Sequence, residues 1–184
     1  RDRIPIHVAA LGPKNVELTA EIADGWLPLF YLPEKAKDVW GDDLARGAAK
    51  RSADLDPLEV VAGGLVAIGK QEEVAGIRDF ARPMVALYVG GLGARGRNFY
   101  NDLGCRYGFE KEAAEIQDLY LDGKKDEAAA VIPEDLLEAT TICGDEGYVK
   151  ERLAAYRESG VTMLNITPVG DAADIVGKLK DWTS

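Results

Sequence analysis

The sequence predicts an α/β fold built on parallel strands, and three stretches carry that prediction. Residues 4–30 contain a strand, a glycine turn, a helix and a second strand, which together make a βαβ unit. Residues 58–68 are almost entirely apolar, as expected for a strand covered on both faces of a sheet. Residues 161–167 form another apolar strand, and a helix over 171–182 follows it. Strands that alternate with helices in this way are typical of a parallel sheet.

The first βα unit begins with a strand over 4–10, in which apolar residues alternate with others. A turn that contains Gly12 ends this strand, and an amphipathic helix follows. Asp24 and Gly25 stop that helix, and the strand over 26–30 begins directly after them.

The second and third units continue the same alternation. Pro33 suits the first turn of a helix, which we expect over 33–53. The strand over 58–68 contains Gly63 and Gly64, which suggest a bulge or a close approach of another backbone.

The stretch from residue 72 to residue 140 is predicted to be mainly helical. A helix over 72–87 is bent or divided by Pro83. Asp145 is placed to cap a helix that ends at Gly160, after a turn over 143–145. The other predicted helices span 110–121, 124–131 and 133–140.

Composition and charge exclude several classes of protein. A hydrophobic content of 47% with 29% charged residues is that of an ordinary globular domain. The net charge of −10 argues against nucleic-acid binding, which requires a basic surface. The sequence contains no run of about 18 apolar residues, which a membrane span would need. It also lacks the basic and then apolar pattern of a signal peptide at its start. Cys105 and Cys143 have no metal-binding spacing, so we expect reduced thiols in a cytoplasmic protein, with a disulfide between them as the alternative.

Several of these segments carry a family resemblance. Residues 9–15, Ala-Ala-Leu-Gly-Pro-Lys-Asn, followed by Ala-Asp-Gly-Trp at 23–26, resemble the middle of a luciferase-like oxidoreductase. Within that family the sequence is most similar to the branch that uses the deazaflavin coenzyme F420. The likeness continues through residues 63–65, 87–91 and 164–168.

The resemblance implies a (β/α)8 TIM barrel of the bacterial luciferase-like type, of which this chain begins at about the fifth strand. A complete barrel has about 250 residues, whereas this chain has 184. We therefore expect residues 1–184 to be a single-domain fragment, the C-terminal half of the barrel, with a helical insertion over about 88–140 before the last βα unit. The implied partners are the N-terminal half of the same barrel and a second copy in a homodimer. A complete, smaller α/β protein with an open four-stranded sheet is the alternative.

Candidate site residues lie where the strands end, because barrel enzymes bind their ligands at the carboxyl ends of the strands. The turn after the first strand offers backbone N–H groups and a helix N-terminus, which attract phosphate. The resemblance implies that this turn and the next strand bind the cofactor. An ordinary connecting turn and core side chains are the alternatives. The residues in question are Ala10, Leu11, Gly12, Pro13, Trp26 and Leu29.

A second candidate region is the glycine-rich stretch over 88–100. Arg95 and Arg97 lie there, and guanidinium groups bind phosphate and carboxylate well. They are candidates for holding an anionic cofactor tail or substrate, with solvated loop residues as the alternative. Lys70, which follows a strand end, is a weaker candidate. The side chains expected to line the same mouth are Tyr88, Asn98 and Tyr100.

Catalytic and metal-binding residues are not assigned from the sequence. His7, the single histidine, lies inside a strand and is expected to pack there. Asn165 and Thr167 on the last strand are expected to face the barrel interior. The resemblance places the acid and base residues on the first strands of the barrel, which this sequence lacks.

The functional hypothesis is therefore a coenzyme F420-dependent oxidoreductase that transfers a hydride between the deazaflavin and a small organic substrate. It would be active only together with the N-terminal half. One alternative is an FMN-dependent luciferase-like monooxygenase. Another is a noncatalytic binding protein on a degenerate barrel, since a fold does not fix a function.

Overall fold

The computed structural model describes residues 4–183, and the chain forms two compact units. The first unit contains the residues up to Gly63 together with Ala154–Asn165. The second contains Gly64–Leu153 and the residues from Ile166 onward. The strands pair in parallel, so the α/β prediction is confirmed.

The sheet of the first unit is built from β1 (His7–Val8), β2 (Gly25–Trp26) and the beginning of β3 (Glu59–Ile68). His7 lies opposite Gly25, and Gly25 lies opposite Glu59, so the three strands start level with one another. The predicted strands over 4–10 and 26–30 are wrong in length, because only His7–Val8 of the first and Trp26 of the second are strand, and β2 begins one residue earlier at Gly25. Prolines at positions 5 and 28 have no N–H to donate to a ladder, which explains the short pairing.

Two helices pack closely in the first unit. Helix α1 (Pro13–Ile22) and helix α2 (Pro33–Ala48) both begin with proline, where the missing N–H is no loss. The predicted end of α2 at residue 53 is wrong, since the helix stops at Ala48. Gly47 faces α1, and a Cβ atom there would lie 2.6 Å from the Cβ of Ala20. The absence of a side chain at Gly47 therefore sets the distance between the two helices.

An aromatic cluster forms the core of the first unit. The rings of Tyr31 and Trp40 stack, with centroids 5.8 Å apart. Trp26 meets Trp40 edge to face at 5.2 Å, and Tyr156 lies 6.0 Å from Tyr31. These four side chains are buried. Such contacts fix ring orientation as well as removing apolar area from water.

The second unit contains the end of β3, which pairs in parallel with β4 (Ile142–Gly144). The predicted turn over 143–145 is wrong, because its first two residues belong to β4. A three-residue strand that ends in glycine has too little alternation to be distinguished from a turn. Strand β5 (Met163–Pro168), which both units share, also pairs with β3. The close backbone approach predicted at the glycine pair is confirmed, since a Cβ atom at Gly63 would collide with the backbone of Asn165.

Helices make up most of the second unit. The predicted division near Pro83 is confirmed, and this residue lies in the first turn of the second piece. The carboxylate of Asp145 accepts a hydrogen bond from the amide of Tyr148 at 2.9 Å, so its predicted capping role is confirmed. Gly160 has a φ of 94° and ends the helix before β5, as predicted. The helices are α3 (Gln71–Asp79), α4 (Arg82–Ala86), a π-helix (Leu87–Gly91), α5 (Phe99–Arg106), α6 (Glu110–Leu121), α7 (Lys125–Ala130), α8 (Glu134–Ala139), α9 (Glu146–Glu158), which both units share, and α10 (Ala172–Thr183). Within residues 4–183, none of the helices has the length and apolar character needed to cross a bilayer.

Candidate functional site

The turn between β1 and α1 is the principal candidate site. Gly12 is the N-cap of α1, with φ −72° and ψ 146°, and Pro13 is the first helical residue. No side chain caps the helix, and its first turn contains no acidic residue. Lys14, in that first turn, is exposed. The positive end of the helix dipole is therefore left open to an external anion.

Two tryptophans donate hydrogen bonds to the backbone carbonyls of this turn. The indole Nε1 of Trp26 donates to the carbonyl oxygen of Ala10 at 2.8 Å. The indole Nε1 of Trp40 donates to the carbonyl oxygen of Leu11 at 3.1 Å. Within the part of the chain that the structure describes, the amides of Leu11 and Gly12 donate to no protein acceptor. Both residues are partly exposed, so these amides are available to a ligand.

The donor set fits an anionic phosphate group. It consists of successive backbone amides at a helix N-terminus, with glycine as the N-cap and a lysine in the first turn. Phosphate is bound in this way at the N-termini of many helices, where the dipole and the unbonded N–H groups act together. Residues 10–13, which the sequence predicts to bind the cofactor, form this turn, and their binding role stays a prediction.

Trp26 and Leu29, the other predicted cofactor residues, lie in β2 and shortly after it. Trp26 is only 1% exposed and lies beneath the turn, which it contacts through its hydrogen bond to Ala10. Leu29 is partly exposed in a bend after the strand. Phe30, next in the chain, has a φ of 55°, which is unusual for a residue other than glycine. Backbone strain of this kind concentrates at functional sites.

The two predicted arginines belong to the second unit and differ in their surroundings. The guanidinium of Arg95 pairs with Asp118 at 2.6 Å and reaches Asp122 at 4.0 Å. Arg97 is exposed, and no ion pair to it is found among the described residues. Of the two, Arg97 is therefore the one whose charge is available to a ligand.

A π-helix precedes these arginines, and a buried asparagine holds it in place. The side-chain amide of Asn98 donates to the carbonyls of Tyr88 and Val89 at 2.8 and 2.9 Å. Its oxygen accepts from the amide of Tyr100 at 2.9 Å at the start of α5. The rings of Tyr88 and Tyr100 meet edge to face at 4.7 Å. Asn98 therefore stabilises the loop from inside, whereas the two tyrosines are partly exposed. Single π-helical turns are frequent at functional sites.

The remaining singled-out residues have local structural partners. The imidazole Nε2 of His7 lies 2.7 Å from the carboxylate of Glu59, at the start of the strands. This placement agrees with the predicted packing role. The backbone amide of Lys70 donates to the carboxylate of Glu73 at 3.0 Å, and its side chain is exposed. Asn165 and Thr167 lie on the exposed face of β5.

The sequence did not identify Trp40 as part of the site. Its partner Leu11 is 29 residues away in sequence. No local pattern predicts which carbonyl a buried indole will reach. No cluster of three or more potential metal-ligating His, Cys, Asp or Glu side chains occurs in residues 4–183.

Comparison with known proteins assigns the family. The statistical model of the family described as luciferase-like monooxygenase matches residues 1–163. The chain belongs to the luciferase-like monooxygenase family. Over 170 residues it is 40% identical to a Mycobacterium tuberculosis protein, Rv3520c, named provisionally as a coenzyme F420-dependent oxidoreductase. That alignment covers 91% of this chain and 48% of the relative.

More distant relatives agree with this family. Over 182 residues the chain is 29% identical to the 5,10-methylenetetrahydromethanopterin reductase of Methanopyrus kandleri, covering 95% of this chain and 49% of that protein. The solved structure of the coenzyme F420-dependent tetrahydromethanopterin reductase from that organism has a TM-score of 0.67 at 27% identity, covering 90% of this chain and 45% of the other. An F420-dependent secondary alcohol dehydrogenase shares the fold, with a TM-score of 0.51 at 16% identity, covering 91% of this chain and 44% of the other. The chain thus spans about half the length of the curated relatives it matches.

Proposed function

We propose that this chain is part of a coenzyme F420-dependent oxidoreductase that transfers a hydride between the deazaflavin and a small organic substrate. The observation that carries the proposal is the free pair of amides at Leu11 and Gly12, in a family whose relatives include proteins named for F420. The phosphate of F420 is an anion of the kind these amides suit.

In the proposed enzyme the residues of this chain bind and orient the cofactor. The Leu11 and Gly12 amides hold the phosphate, and Lys14 adds positive charge nearby. Leu29 provides apolar contact at the end of β2. Arg97, which belongs to the second unit, is proposed separately to bind an anionic substrate. When bound, F420 supplies the hydride chemistry, while the protein supplies position and shields the reacting atoms from water.

We further infer that this chain is the C-terminal half of a TIM barrel, with residues of about 88–140 as its helical insertion. Large apolar side chains are exposed near the sheet of the first unit, namely Ile4 at 81%, Ile6 at 64% and Met163 at 47%. Apolar side chains at an open sheet edge favour pairing with another polypeptide. The matched relatives are about twice as long as this chain. The N-terminal half of the same barrel is therefore the proposed partner, and a homodimer of the complete barrel is the proposed assembly.

An FMN-dependent monooxygenase is the second candidate. The family is described as luciferase-like monooxygenase, and FMN also carries a phosphate that the same two amides suit. The two cofactors differ in their ring systems and in the tail beyond the phosphate.

A titration of the full-length protein with F420, followed by the cofactor's own fluorescence and with FMN as competitor, tests the proposal. Tight F420 binding that FMN does not displace supports it. Binding of FMN alone favours the monooxygenase, and binding of neither cofactor favours a noncatalytic protein.

A pair of substitutions at Gly12 locates the binding site. The backbone angles of Gly12 suit any N-cap residue, so Gly12→Asp and Gly12→Asn should both cap α1 and leave the protein at least as stable. Only the aspartate places a negative charge against the phosphate. We expect Gly12→Asp to weaken F420 binding at least about tenfold more than Gly12→Asn, since close like charges repel strongly. Equal effects of the two substitutions would contradict phosphate binding at this turn.

A further inference from the structure

Two buried indole groups bind consecutive carbonyls of the candidate phosphate turn. Trp26 donates to the oxygen of Ala10 at 2.8 Å, and Trp40 donates to the oxygen of Leu11 at 3.1 Å. The two tryptophans come from different elements, β2 and α2. A buried indole needs some acceptor, but that need alone does not direct two of them to neighbouring peptide groups.

The planar peptide bond converts these contacts into an orientation of the amides. In a trans peptide the C=O of one residue and the N–H of the next point in opposite directions. Because the Ala10 carbonyl points toward the indole of Trp26, the Leu11 N–H must point away from the aromatic cluster. The Leu11 carbonyl and the Gly12 N–H are related in the same way through Trp40. The Leu11 and Gly12 amides, for which no protein acceptor is found among the described residues, are thus amides whose directions the tryptophans fix.

We propose that Trp26 and Trp40 are positioning residues, which orient the Leu11 and Gly12 amides toward the phosphate of the cofactor. This inference rests on the proposed F420 function. Neither tryptophan touches the phosphate, and both act through the peptide groups they bind.

The aromatic cluster is suited to this role because it fixes the indoles in place. Trp40 is fully buried, stacks on Tyr31 with an angle of 6° between the rings, and packs against Trp26 edge to face. The hydroxyl of Tyr31 donates to the carbonyl of Ser159 at 3.1 Å, which fixes that ring in turn. Donors that are already oriented bind a ligand without the entropic cost of ordering them.

The substitution Trp40→Phe in the full-length protein tests the inference, because phenylalanine keeps an aromatic ring but lacks the N–H. The probes are F420 and a deazaflavin that has the same ring system but no phosphate. Deazaflavin fluorescence reports both, so the loss of a tryptophan does not alter the signal. Trp182→Phe is the control, since that residue lies in α10 and contacts Lys150 rather than the turn.

We expect Trp40→Phe to weaken F420 binding about three- to tenfold, the usual effect of one lost hydrogen bond, and to leave binding of the phosphate-free deazaflavin unchanged. Trp182→Phe should change neither. Because Trp40→Phe also removes packing, Trp26→Phe provides a second test through the Leu11 amide, with the same selective loss expected.

Two outcomes would overturn the inference. F420 binding unchanged in both variants would show that the indole N–H groups do not set the amide directions. Equal weakening of both probes would show that the tryptophans act only by packing the fold. In both of these outcomes wild-type protein still binds F420. If wild type binds no F420, the proposed function itself is wrong, and the positioning role is overturned with it.

Discussion

Gly47→Ala is the substitution whose effect follows most directly from the packing of α1 on α2. Within a helix, alanine is favoured over glycine by about 0.5–1 kcal/mol, and Gly47 lies in the last turn of α2, so propensity alone predicts a slightly more stable protein. The structure predicts the opposite. A Cβ atom on Gly47 would lie 2.6 Å from the Cβ of Ala20 and 3.0 Å from the carbonyl carbon of Glu17. Ordinary carbon contacts are about 3.5–4.0 Å, so the helices would have to separate by roughly 1 Å.

The size of the effect follows from these opposing terms. Overpacking of this kind costs typically about 1–3 kcal/mol, and the backbone of α1 cannot move aside as a flexible side chain would. After the gain in propensity, we expect Gly47→Ala to be up to about 2.5 kcal/mol less stable than wild type. The displacement also moves the start of α1, so F420 binding should weaken as well.

Gly41→Ala, on the same helix, is the matched control. A Cβ atom there meets only the Cγ of Lys37 at 3.4 Å, and that side chain is flexible and exposed. This variant should be up to about 1 kcal/mol more stable than wild type. Denaturant midpoints of the three full-length proteins provide the comparison. If Gly47→Ala is as stable as Gly41→Ala, the close contact between α1 and α2 is wrong.

Three further predictions follow from single contacts. A side chain at Gly25 would collide with the imidazole of His7, so Gly25→Ala should destabilise the protein by about 1–3 kcal/mol. In a double-mutant cycle, adding His7→Ala should restore part of this lost stability. Strict additivity of the two substitutions would argue against the contact. Hydrogen bonding to Lys50 lowers the pKa of Glu17. The carboxylate therefore stabilises the fold above its unfolded-state pKa of about 4.3, and this stabilisation is lost as the pH falls through the lower pKa of the folded state. The denaturant midpoints of wild type and Glu17→Gln should therefore differ at pH 7 and converge near pH 3, whereas a constant difference would refute the charge effect. Burial raises the pKa of the Cys143 thiol, so iodoacetamide at pH 8 should modify this thiol only after the protein unfolds. Mass spectrometry measures the modification. Rapid modification of the native protein would contradict the burial of Cys143.

The sequence predicted the long elements of this fold well and the short strands poorly. Strand β3 and helix α6 were predicted nearly to the residue, because each has a long apolar or amphipathic pattern. Strands β1, β2 and β4 contain two or three residues each. Their pairing depends on neighbours distant in sequence and on prolines that limit the ladder, so local alternation is a poor guide to their length.

The candidate site shows the same division between local and long-range information. The turn at Gly12 is marked by its own residues, since a glycine between a strand and a helix is a local signal. The roles of Trp40 and Asn98 are not marked in this way. Each binds backbone carbonyls nine or more residues away in sequence, and tertiary packing selects those carbonyls. For Arg95, the charge is evident from the sequence, but the two aspartates that pair with it are not.

A crystal structure of the full-length protein with F420 tests most directly whether the turn between β1 and α1 binds the phosphate of the cofactor. We expect phosphate oxygens within hydrogen-bonding distance, about 2.7–3.2 Å, of the Leu11 and Gly12 nitrogens. The indoles of Trp26 and Trp40 should still bind the carbonyls of Ala10 and Leu11 beneath it. A phosphate bound elsewhere, with both amides facing solvent, would contradict the account.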